Sequence, residues 1–92
     1  MNIIIENTAN ISNSAVRFIK WKIYRLEERF KKLLYANVHI RILDAKTNAY
    51  EMVLKLGVKG KDIIIRKTAD DIYKLYNMVN KTAQLQLADI HR

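Results

Sequence analysis

The rhythm of apolar and polar positions changes period three times along the chain, and each change marks a new element. Residues 2–7, NIIIEN, are short and β-branched and read as a strand. Polar residues 8–14 then offer helix starts. Ser12 is the best N-cap among them, because its hydroxyl can accept one of the backbone N–H groups that a first turn leaves unpaired. From there to residue 34 the spacing predicts a helix. Val16, Ile19, Ile23, Leu26, Phe30 and Leu33 recur at intervals of 3, 4, 3, 4 and 3, which draws one apolar stripe.

The period then drops to two. Val38, Ile40 and Ile42 alternate with His39, Arg41 and Leu43, and after polar residues 44–48, Tyr50, Met52, Leu54 and Leu56 alternate with Glu51, Val53 and Lys55. Residues 58–61, VKGK, predict a hairpin turn in which Gly60 takes a positive φ cheaply. Residues 62–67 form a fourth strand around Ile63, Ile64 and Ile65. Thr68 to Asp71 resembles a capping box with aspartate in place of glutamate. Ile72, Leu75, Tyr76, Val79 and Ala83 continue as the apolar face of a second helix to about Leu87. The order is β-α-β-β-β-α. A right-handed crossover makes the first strand parallel to the second, and the last three form an antiparallel meander. The expected fold is α+β, a single-layer four-stranded mixed sheet with two helices on one face, built as one domain over residues 1–92.

Composition sharpens this picture. Half of the residues are hydrophobic and 28% charged, as in folded globular domains, and the absence of proline with only two glycines favours long elements. The chain has no cysteine, which excludes disulfides, thiolate metal sites and cysteine nucleophiles. No apolar run exceeds four residues, so no membrane-spanning helix and no membrane partner is expected. The opening MNIIIENTAN lacks the basic region of a signal peptide, and a cytoplasmic domain is expected.

Charge points to a partner. The formal net charge is +8, with a sequence pI near 9.9, which points to a polyanionic partner, nucleic acid or an anionic membrane surface, and of these nucleic acid is the one expected. Residues 1–34 and 35–67 each carry seven basic and three acidic groups, net +4, whereas residues 68–92 carry three of each. In the first helix Lys22, Arg25, Arg29 and Lys32 recur at 3, 4 and 3. Their stripe lies about 110° round the helix from the apolar one, with cations about 5 Å apart. The competing reading is a solvated face, with Glu28 compensating Lys32 at i,i+4. Arg41, Lys55, Lys59, Lys61, Arg66 and Lys67 make a second basic group in the sheet region. Trp21 and the five tyrosines are candidates for base stacking, but the spacing assigns most of them to packing.

Catalytic signals are poor. His39 and His91 have no ligand-spaced partner, Ser12 and Ser14 precede a helix, and GVKG matches no phosphate-cradling loop. No metal, no cofactor, no small-molecule substrate and no enzymatic activity is expected.

Taken together, the residues resemble a family. The element order is similar to that of the ribosome hibernation-promoting factors, also called ribosome-associated inhibitors or sigma-factor modulation proteins. The resemblance spans the chain and rests on four segments: Ile11-Ser12-x-x-Ala15-Val16-Arg17; Lys22-Ile23-x-Arg25-Leu26-Glu27; Asp71-Ile72-Tyr73; and Asn80-Lys81 with Gln86-Leu87. It implies binding to ribosomal RNA in the decoding groove of the small ribosomal subunit, silencing translation under starvation stress or in stationary phase, without catalysis or cofactor. In the family both helices present basic residues to RNA. Arg17 and Arg25 match such positions, Lys22, Arg29 and Lys32 extend that face, and Lys81 is the second-helix candidate. Leu85 and Asp89 stand where the family tends to have lysine and arginine. A second reading, from another class, is a protein-interaction module. It would modulate a sigma factor, or self-associate as a homodimer, through a sheet face bearing Leu43, Val53 and Ile64.

Overall fold

Six elements follow one another in the predicted order: β1 (Asn2–Asn7), α1 (Asn13–Arg29), β2 (Leu33–Asp44), β3 (Ala49–Val58), β4 (Lys61–Ala69) and α2 (Ile72–Ile90). The structure, a computed structural model, describes residues 1–90, so His91 lies outside the described residues. β1 runs parallel to β2, and β2, β3 and β4 form an antiparallel meander, giving the sheet order β1-β2-β3-β4.

Register decides which residues share a face. Val38, Leu54 and Ile65 lie in one cross-strand row and Ala36, Leu56 and Ile63 in the next. All six are buried, as are Ile40 and Met52. Both helices cover this face: Ala15, Ile19, Ile23 and Leu26 of α1 and Leu75, Tyr76, Val79, Ala83 and Leu87 of α2 belong to the same core. The fold is the expected α+β sheet with two helices on one side.

The start of α1 is as predicted. Ser12 has extended backbone, and its Oγ accepts the Ala15 N–H at 3.1 Å. Its end differs. The helix stops at Arg29, five residues short of the expected Leu34; the Phe30 N–H donates to Leu26 O at 2.7 Å, after which the chain leaves helical geometry. Phe30 and Leu33 remain buried all the same, one from the turn and the other from β2. Lys32 therefore falls outside the helix. α2 is capped by Asp71, whose Oδ1 accepts the Lys74 N–H at 2.9 Å. Thr68, the expected cap, is still paired with Glu51 in the sheet. The helix extends past Leu87 to Ile90, and Leu85 faces solvent. Ile42 is also exposed, because the β2–β3 hairpin projects beyond the core and residues 41–48 all face solvent.

Two local devices hold the sheet. The Asn7 side chain accepts from Ile11 N at 2.8 Å and donates to Ile11 O at 3.0 Å, stapling the turn between β1 and α1, in which Asn10 takes φ 56°. On the open sheet face Tyr35 lies across from Gly57, and its hydroxyl donates to Asp62 Oδ1 at 3.0 Å. A Cβ at position 57 would enter the Tyr35 ring. The aromatic ring covers the backbone that glycine leaves bare. Gly57→Ala, ordinarily mild in a strand, is expected to lower stability by about 1–3 kcal/mol, measured by urea unfolding. In a Tyr35→Ala background the penalty should largely disappear; an equal cost there would show that the ring contact is not its cause.

Candidate nucleic-acid interface

Packing two helices side by side on one sheet face leaves a furrow between them, and the sequence fills its rim with cations. Phe18 of α1 meets Tyr73 and Tyr76 of α2 edge-on, with ring centroids 5.0 and 6.1 Å apart. Beside this contact opens a cleft of about 460 Å³, lined by Lys22, Arg25, Leu26, Glu28 and Arg29 of α1 and by Asn80 and Gln84 of α2. Tyr76 is buried, and burial pushes its hydroxyl pKa well up, so it stays a proton donor; it donates to Asn80 Oδ1 at 3.3 Å and so orients that amide at the cleft wall.

The three cations are positioned without being neutralised. Among the described residues, none of Lys22, Arg25 and Arg29 lies within 4.0 Å of a carboxylate oxygen. They rest on aromatic rings instead: Lys22 Nζ is 5.7 Å from the Phe18 centroid, the Arg25 guanidinium 5.0 Å from Trp21 and that of Arg29 5.2 Å from Phe30. An aromatic face steers a cation but leaves its charge and its N–H donors free for a phosphate. Glu28 is the one carboxylate in the lining. The chemistry on offer is anion binding; among the described residues there is no cluster of three or more metal-ligating side chains.

Of the six sequence-predicted residues, the fold brings Lys22, Arg25 and Arg29 together. Arg17 is exposed near the start of α1, its guanidinium 3.5 Å from Ser14 Oγ and outside the cleft lining. Lys32 leaves the stripe because the helix has ended, and no ion pair joins it to Glu28. Lys81 is exposed on α2, about 60° round from Gln84 and outside the cleft lining. Asn80 and Gln84 were not anticipated, since neutral amides leave no trace in a charge pattern. Tyr76 is packed in the core as its spacing suggests, whereas Trp21 and Tyr24 are half exposed, at 54% and 48%.

The sheet side behaves differently. Glu51 is buried on the open face, accepts from Arg41 Nε at 2.7 Å and lies 3.9 Å from Arg66, while Lys55 sits 3.8 Å from Asp62. Three of the six cations in the second basic group are thus compensated locally. His39 is an exposed strand residue whose Nε2 lies 3.1 Å from Thr8 Oγ1. The expected apolar patch does not come together. Val53 is half buried, and Leu43 and Ile64 are about 20 Å apart along the strands.

No protein-family profile and no curated protein matches the chain. Solved structures do. The chain is similar to a ribosomal subunit interface protein from Coxiella burnetii, with a TM-score of 0.85 and 16% identity over 99% of this chain and 98% of that one. It is also similar to the N-terminal domain of Thermus thermophilus Protein Y, with a TM-score of 0.77 and 16% identity over 97% and 94%. The fold expected from the sequence resemblance is the fold found, along essentially the whole chain.

The Glu51 cluster has a pH signature. The hydrogen bond from Arg41 holds the Glu51 carboxyl below its usual value; partial burial opposes this, and the charges of Arg41, Arg66 and His39 reinforce it. A depressed carboxyl stabilises the fold fully above its unfolded pKa, near about 4.3, and loses that contribution as pH falls through the lower native value. Glu51→Gln is expected to flatten the decline of thermal stability below about pH 4.5, compared with the parent. Parallel declines would remove Glu51 from the acid response.

Proposed function

We propose that this chain is a noncatalytic, cytoplasmic ribosome-binding module that occupies ribosomal RNA in the decoding groove of the small subunit and silences translation by steric occupancy. The observation that carries the reading is the convergence of Lys22, Arg25 and Arg29 on one cleft, with no carboxylate partner among the described residues, beside two amides from the facing helix. A solved structure of the same fold is a ribosomal subunit interface protein, which supports the ribosome as partner. Phosphates would seat against the guanidinium forks, and release of condensed counterions would drive association. The alternative, a sigma factor or a second copy bound at the sheet face, finds Ile64 and Leu43 exposed but far apart.

Affinity for purified small subunits is expected to fall at least roughly 20-fold between 50 and 200 mM salt, from three phosphate contacts alone. Reversing Lys22, Arg25 and Arg29 to glutamate should abolish cosedimentation with small subunits while leaving the circular dichroism spectrum unchanged. Reversing Lys74 and Lys81 should cost less, because neither lines the cleft. Salt-insensitive binding, or a triple variant that binds like the parent, would transfer the interaction to an apolar protein contact.

A further inference from the structure

Trp21 is the sole tryptophan of the chain and is left outside the core. On α1 it sits roughly 140–160° round from Ile19, Ile23 and Leu26, so the packing of the helix makes no use of it. An indole left 54% exposed forgoes the burial that usually claims this side chain. The ring is nevertheless not loose. The Arg25 guanidinium, one turn on, stands 5.0 Å from its centroid and the Lys22 ammonium 5.8 Å. Both cations also line the cleft, so the ring is tethered to its edge.

We propose that Trp21, with Lys22 and Arg25, forms a binding site for an unpaired RNA nucleotide: the base stacks on the indole while its phosphate meets the two cations. The proposal rests on the RNA-binding reading above and extends it from phosphate contacts to a base contact. A nucleotide combines a π-face with an anion in one unit, which is the complement of an exposed ring flanked by two cations that have no carboxylate partner among the described residues. The base must be unpaired, because a base within a helix has both faces covered. Such stacking is tolerant of sequence, so the site would grip a splayed base without selecting one.

The indole itself reports the contact. Its fluorescence is followed while the full chain is titrated with small ribosomal subunits and, separately, with a single-stranded oligoadenylate and an abasic ribose-phosphate oligomer of equal length. Quenching by oligoadenylate and none by the abasic oligomer is expected. Trp21→Leu, which keeps apolar bulk without a π-face, should weaken subunit binding about tenfold, and Trp21→Phe should recover much of the loss. The salt slope of Trp21→Leu should match that of the parent, because a contact to a base releases no counterion. If the parent binds subunits and Trp21→Leu binds equally well, the stacking site is overturned while the RNA reading stands. If the parent does not bind subunits, that reading falls and the oligomer pair decides the stack alone: quenching by both oligomers or by neither overturns it. Thermal melting of each variant separates a loss of stacking from a loss of fold.

Discussion

One apolar sheet face, continued onto β1 by Ile3 and Ile5, governs the architecture. Ala36, Val38 and Ile40, Met52, Leu54 and Leu56, and Ile63 and Ile65 all point the same way, while the rows between them carry Asn37, His39, Arg41, Lys55 and Arg66. Only one side of this sheet can repay burial, so both helices must lie on it and therefore beside each other. Fully burying one such aliphatic side chain contributes about 1.5–3 kcal/mol. The cleft is a by-product of that constraint: two cylinders on one plane leave a furrow, and α1 carries its cations where the furrow opens.

The electrostatics divide along the same line. On the open face, acids sit within reach of the bases: Glu51 faces Arg41 and Arg66, and Asp62 faces Lys55. On the helix face, aromatic rings hold the cations in place and leave their charge uncancelled. A net charge of +8 on 92 residues therefore presents itself unevenly. Uncompensated cations gather where α1 borders the furrow, at Lys22, Arg25 and Arg29.

Much of this was legible in the sequence, for identifiable reasons. Period-two alternation in β2 and β3 and the interval pattern of α1 are direct images of burial, so element order and sheet face followed from them. The end of α1 was misread because Phe30 and Leu33 satisfy a helical rhythm and are buried from a turn and a strand. Periodicity records which residues are inside, not which backbone carries them there. The cap of α2 was misplaced by one motif length, since Thr68 and Asp71 both qualify chemically and only the length of the β3–β4 ladder chooses between them. Lys22, Arg25 and Arg29 were readable from spacing, whereas Asn80 and Gln84 become cleft residues only through the packing of Phe18 against Tyr73 and Tyr76.

The parallel pairing of β1 with β2 has a kinetic side. β2, β3 and β4 are neighbours in sequence, joined by short turns at residues 45–48 and 59–60, and α2 follows directly. That unit assembles from local contacts. β1 reaches its partner only after the whole of α1 has crossed the sheet, so its loop-closure entropy is rewarded late. The chain thus divides by topology into a meander with α2 and a β1–α1 arm that docks onto it. One wall of the cleft belongs to each. The cleft is completed when the arm closes, and by this topology the amides of the arm are expected to exchange first with solvent hydrogen when the native state opens in part.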